Sequence, residues 1–278
     1  MATSEEVILH DLTQLIKNDE IRLPTLPEVA LRARELAQNA GASAQDIARL
    51  INTDTAMAAR ILKVANSPLM RGPREVRDIA TAIARLGLTC ICNLITGLAM
   101  EQMFRAHSDI IDRAMRRSWH HATEVAAIAN VMCRHYTPSL EPDQAVLAGI
   151  LHEIGVLPIL TYGEEHNTFQ DPAVLQSVLD KLHPIIGTRI LEEWRFPKEL
   201  VDVPRYLLAF DRVTGTDAPD YADLVMVANL QSRQGTSHPL GGQDWSRISA
   251  VTRVGLPAEG FPAGPLGDDL SSMVVSLR

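Results

Sequence analysis

The residues best placed to do chemistry in this 278-residue chain are His152 and Glu153. They sit inside Ala145 to Leu157, a stretch that is otherwise apolar. Read as a continuous helix, the neighbours of His152 three and four residues away are Ala148, Gly149, Gly155 and Val156. Those of Glu153 are Gly149, Ile150, Val156 and Leu157. Neither side chain meets a polar partner on its own helix. A buried imidazole and carboxylate then need partners from other segments, or a metal. Imidazole and carboxylate are also the ligands that hold a divalent ion such as Mn, Fe or Zn and let it activate water.

A second histidine answers that need. Ile110 to Tyr136 reads as one long helix whose inward stripe runs Ile111, Met115, Ser118, Ala122, Val125, Ala129, Met132, Tyr136. His121 borders the stripe, whereas His120 falls towards Glu124. A lone histidine at a stripe edge is more often packing than ligation. Other chemistries find no support. There is no phosphate-cradling loop ahead of a Lys-Ser or Lys-Thr pair, no G-x-S-x-G elbow and no H-E-x-x-H helix. Cys90, Cys92 and Cys133 form no C-x-x-C motif and read as reduced core thiols.

The elements that must position these residues are helical. Aromatics make up only 4% of the chain, while Ala, Leu, Ile and Met abound. Apolar periodicity predicts helices over residues 5–17, 28–39, 43–51, 55–65, 78–86 and 89–104. Pro158 is expected to end or kink the His152 helix, and separate helices are expected over 173–183 and 184–194, with His183 at the start of the second. Helices follow over 198–209 and 221–233. The short pair within 43–65 could be a DNA-reading helix-turn-helix, with Arg60 and Lys63 on phosphates. An ordinary helical pair is the stronger reading, because Ala56, Met57, Ala58 and Ala59 offer little to base edges. The net charge of −8 argues the same way, so nucleic acid is not the expected partner. From Gly235 the chain turns rich in Gly and Pro, an expected irregular tail with a last helix over Asp268 to Leu277. The N-terminus lacks the basic region of a signal peptide, and the uncharged run Leu86 to Met100 is too short to span a bilayer, so a cytoplasmic location is expected.

The order of motifs resembles the HDOD family, signalling relatives of the HD superfamily of metal-dependent phosphohydrolases, over about residues 20–235. Leu23-Pro24-Thr25-Leu26-Pro27, Asp46-Ile47-Ala48, Ile51 with Asp54, Ala65-Asn66-Ser67 and Ala82 to Gly87 carry the N-terminal part. Trp119-His120-His121, Ala148 to Gly155, and His183, Gly187, Leu191, Trp194 and Pro197 carry the rest. The resemblance implies an all-α fold, a helical bundle of two packed halves: an N-terminal helical half over 1–110, an HD-like half over 111–234, and the tail over 235–278. It also implies where an active relative would hold metal. His121 matches the first histidine, and His152 the histidine of the His-Asp pair. Glu153 stands for the Asp, Leu207-Leu208 for paired histidines and Asn229 for the late Asp. His121, His152 and Glu153 are therefore expected to be vestigial ligands, with no metal retained. The expected function is a non-catalytic module of bacterial signal transduction that binds a protein partner or a small regulator. The alternative is a phosphohydrolase acting on a nucleotide or cyclic nucleotide with Mn, Fe or Zn.

Overall fold

The computed structural model of the chain describes residues 4–39, 41–51, 54–67, 70 and 75–257. No strand occurs among them. The helices run α1 (Ser4–Lys17), α2 (Glu28–Gln38), α3 (Ala44–Ile51), α4 (Thr55–Ala65), α5 (Ile79–Leu86), α6 (Leu88–Met100), α7 (Asp109–Tyr136), α8 (Pro142–Leu151), α9 (Val156–His166), α10 (Pro172–Glu193), α11 (Lys198–Tyr206), α12 (Tyr221–Arg233) and α13 (Ser249–Val254).

Local chemistry sets most of these boundaries. Ser43 and Asp46 form a reciprocal capping box at α3: Asp46 N–H donates to Ser43 Oγ (3.3 Å) and Ser43 N–H to Asp46 Oδ2 (3.0 Å). Asp54 accepts from Ala56 and Met57 N–H at the start of α4. Asp78 accepts from Thr81 N–H at the start of α5. Gly87 takes φ +86°, which ends α5 and lets α6 begin at once at Leu88, so Thr89 lies inside α6 and is not its cap.

Two expectations about helix continuity are corrected. The segment from Ala145 to Leu157 is not one helix: α8 stops at Leu151, and α9 starts at Val156 with Pro158 in its first turn. Between them the bonds shorten to the i→i−3 pattern, Ile154 N–H to Leu151 O (3.1 Å) and Val156 N–H to Glu153 O (2.9 Å). Conversely, 172–193 is a single helix that runs through Pro184. Buried Leu179, Leu182, Ile186 and Ile190 flank the proline and hold both sides against the core.

The apolar residues gather into two clusters. One joins residues between Ala30 and Ala99, on α2 to α6. The other joins α1 to residues between Met100 and Leu256, with α7 packed against α8, α9 and α12. Arg34 of α2 ties the first cluster to the second. Its guanidinium donates to Trp194 O (2.9 Å) and Arg195 O (2.8 Å) and lies 3.9 Å from the centre of the Phe196 ring. On α4, Arg60 is paired with Glu101, which takes one of the two cations named for phosphate contact away from that role. Residues 236–257 are more regular than their composition predicts. Trp245, Ile248, Val251 and Val254 are buried, and α13 closes at Gly255 with φ +81°. The helix expected over 268–277 lies outside the described residues. The run Pro142–His166 is long and apolar enough to cross a membrane, but 89% of its most apolar window is buried inside the protein.

Candidate functional site

The break between α8 and α9 is pinned from several sides. At the start of α8, Asn130 of α7 donates to Pro142 O (2.8 Å), and Glu141 N–H donates to the Tyr221 hydroxyl (3.0 Å), which fixes the helix that leads into the break. Gly149 lies so close to α7 that a Cβ there would stand 2.4 Å from Ala126 Cα. Gly155 presses equally on α10, where a Cβ would stand 2.0 Å from His183 O. The two glycines let the turn 152–155 sink between α7 and α10, and that is what buries His152 and Glu153.

Four elements then converge. α7 supplies Ser118 and His121, the turn supplies His152 and Glu153, α10 supplies Asp180 and His183, and α12 supplies Asn229 and Arg233. Ser118 Oγ donates to Glu153 Oε2. On the other carboxylate oxygen, Oε1, His121 Nε2 lies at 3.7 Å and Arg233 Nη2 at 3.8 Å. The rings of His121 and His152 meet edge to face, centroids 5.3 Å apart. His152 Nδ1 is 2.5 Å from Gly149 O; a carbonyl only accepts, so Nδ1 carries the proton and Nε2 the lone pair. That buried Nε2 has no hydrogen-bond partner. His121 Nε2 donates to Asn229 Oδ1 at 2.9 Å.

Burial controls the charges. It pushes the Glu153 carboxyl up to about 7, against the opposing pull of the Ser118 hydrogen bond and of Arg233. It depresses His152 to about 4. Burial, then the neighbouring His152, depresses His183 to about 3. His121 is held well below the ordinary imidazole range for the same first reason. All three histidines are neutral at pH 7. Two small cavities flank the cluster. One of about 90 Å³ is lined by residues including Arg117, Ser118 and His121. One of about 130 Å³ is lined by Leu208, Asn229, His238 and Leu240. Both share Glu153, Asp180, His183 and Arg233.

His121, His152 and Glu153 come together, each offering one donor atom within 4.8 Å of the others. Asn229 faces the same point. Leu207 is buried, and Leu208 lines the outer cavity, so neither brings a polar group. Ser118, Asp180, His183 and Arg233 were not read as site residues. The thiols are elsewhere, and burial pushes Cys90 and Cys92 up to about 12, as befits packing residues.

An all-α bundle with an interior His/His/Glu cluster is the class of protein that fold and site define. The HDOD domain family model matches residues 23–207, and the chain belongs to the HDOD family. The structure of a candidate metal-dependent phosphohydrolase from Shewanella amazonensis SB2B is 30% identical, superposes with a TM-score of 0.88 and is covered 100% in both chains. A candidate signal transduction protein from Marinobacter aquaeolei VT8 is 20% identical with a TM-score of 0.63, over 99% of this chain and 65% of that one, and shares the fold. An uncharacterized protein of Treponema pallidum (strain Nichols) is 23% identical over 66% of this chain. The match spans only 37% of that relative's length.

The donor set can be tested against the divalent metal that the HD relationship implies. In its favour, His152 Nε2 is a buried lone pair with no partner. Against it, His121 Nε2 is committed to Asn229 and the late position offers a neutral amide. Glu153 is the one carboxylate among the three donors that come together; Asp180 lines the adjoining cavities without joining them, and a guanidinium lies 3.8 Å from Glu153. A dication bound here would meet one negative charge already offset by a positive one. The residues do not fit a dinuclear centre, which needs several anionic ligands, and they match a single divalent ion poorly in charge.

Proposed function

We propose that this HDOD protein is a non-catalytic module of bacterial signal transduction, acting by binding a protein partner or a small regulator. The observation that carries the reading is Asn229: where a metal-holding carboxylate is needed, a neutral amide accepts a hydrogen bond from His121. Without that charge the residues present would hold a divalent ion, and the water it could activate, only weakly. The signalling context draws support from the candidate signal transduction protein that shares the fold. The cluster's role here is to join α7, the 152–155 turn and α12 through buried polar contacts.

A second reading has its own support. The 30% identical relative is a candidate metal-dependent phosphohydrolase, and His152 keeps a free lone pair. On that reading His121, His152 and Glu153 hold Mn, Fe or Zn and the substrate is a nucleotide or cyclic nucleotide. Purified protein incubated with p-nitrophenyl phosphate, bis-p-nitrophenyl phosphate and cyclic dinucleotides, with and without Mn²⁺, separates the two. No hydrolysis above buffer is expected. Turnover that needs Mn²⁺ and disappears in His152→Ala would establish the phosphohydrolase instead.

A further inference from the structure

We infer that the Arg233 guanidinium is the resident cation of the Glu153 site, and that it makes this interior cluster independent of metal. Arg233 is the last residue of α12, one turn after Asn229, so both reach the cluster from the same face. Its Nη2 stands 3.8 Å from Glu153 Oε1, the oxygen that Ser118 leaves free. That is also the oxygen that approaches His121 Nε2, at 3.7 Å. The side chain is three-quarters buried and lines both cavities beside the cluster, together with Glu153 and His183. Its Nε is buried without a hydrogen-bond partner, so this side chain gives up solvent contacts in order to sit here.

The electrostatics follow from position. A fixed charge of +1 next to Glu153 stabilises its ionised form, against the opposing effect of Asp180, and opposes protonation of the imidazoles around it. It also repels a second cation. Its field bears on Glu153, His121, His152 and His183 alike. A divalent ion entering between His121, His152 and Glu153 would have to displace the guanidinium. Removing the guanidinium leaves a buried carboxylate next to an unpartnered imidazole nitrogen, an environment that gains from a divalent ion. Arg233 thus acts as a plug that is covalently part of the fold, and it ties the end of α12 to the turn between α8 and α9.

The test is thermal unfolding of the full chain with 1 mM EDTA and with 1 mM Mn²⁺, for wild type, Arg233→Gln, Arg233→Lys and the double variant Arg233→Gln with Glu153→Gln. Wild type and Arg233→Lys are expected to shift by less than about 1 °C between the two conditions, while Arg233→Gln gains about 3 °C or more with Mn²⁺. The double variant is expected to lose that gain. Recovery of Arg233→Gln only from Mn²⁺-supplemented cultures counts equally in support. A wild-type protein that loses several degrees in EDTA overturns the inference, as does an Arg233→Gln protein that ignores Mn²⁺. If Arg233→Gln yields no soluble protein under either condition, Arg233→Lys decides. Indifference to Mn²⁺ supports a resident cation, and a gain overturns it. An inert protein carrying stoichiometric Mn²⁺ would sink this inference and leave the non-catalytic reading standing.

Discussion

Glu153 is ordinary in type and unusual in surroundings. Burial alone would leave its carboxyl protonated; Ser118 and Arg233 pull the other way, and the balance lies at about 7. The histidines around it are shifted in the opposite sense. His152 and His183, at about 4 and about 3, lie below the ordinary 6.5, as does His121. Below pH 6.5 the unfolded chain therefore takes up protons that the folded cluster refuses, and stability falls as the pH drops. Glu153 acts against this between 4.5 and about 7, where the folded state keeps a proton that the unfolded state releases. Three histidines outweigh one carboxyl, so the net expectation between pH 6 and 5 is a loss of about 2 kcal/mol per pH unit. Urea unfolding at pH 7.5, 6 and 5 measures it, and His183→Gln should shallow the slope by close to one proton. Constant stability over that range would contradict the assignment of neutral buried imidazoles. At this scale the sequence was readable where the signal was local. A His-Glu pair in an apolar run must be buried, and His121 sits at the edge of a clear stripe. His183 was hidden because its neighbour Pro184 reads as a helix start, and Arg233 because an arginine at a helix end reads as a solvated cap. Their roles come from contacts between helices far apart in the chain.

At the scale of elements, the site depends on a turn that has to fit between two helices. Gly155 is the contact point, since a methyl there would meet His183 O at 2.0 Å and Gly187 N at 2.4 Å, both backbone atoms of α10. Backbone cannot swing aside as a side chain can. Gly155→Ala is therefore expected to cost about 3 kcal/mol or more, at the upper end of overpacking effects, and to move α10 away from the cluster. Thermal unfolding checks the first expectation, and loss of the NMR coupling pattern of the buried histidines checks the second. The glycine was visible in the sequence but its purpose was not. The local signal for an interruption is Pro158, expected to end or kink the helix. Pro158 instead sits in the first turn of α9, where its missing N–H costs nothing, and the real break lies at His152 to Gly155. The opposite error came from Pro184, which α10 tolerates because the apolar residues on both sides are anchored in the core. Tertiary packing decided both cases against the local signal.

Across the whole molecule, charged networks fasten the peripheral segments to the two apolar clusters. Arg34 joins α2 to the corner after α10. Asp223, fully buried on α12, accepts from Arg253 of α13 through both oxygens (2.8 and 2.6 Å) and lies 3.4 Å from Arg212. That network fastens α13 to α12 within a stretch rich in Gly and Pro, which composition alone could not reveal. Asp223→Ala strands Arg253 in a mostly buried setting, while Arg212 keeps Asp220, and a loss of about 3–5 kcal/mol is expected. Faster hydrogen exchange over 245–256 than over α7 would accompany it; equal exchange would mean that α13 is held by packing alone. The all-α architecture and the family were legible from helical periodicity and ordered motifs spread over most of the chain. The balance of charge at the centre was not, because it depends on which side chains meet. That balance underlies the central claim, that the HD-type site persists as a polar knot without a metal. The most direct measurement is the Mn, Fe and Zn content of the full-length protein, purified without chelator, by inductively coupled plasma mass spectrometry. The account expects well under 0.1 equivalents of each, with no change in His152→Ala. One equivalent or more, lost in His152→Ala, would contradict it.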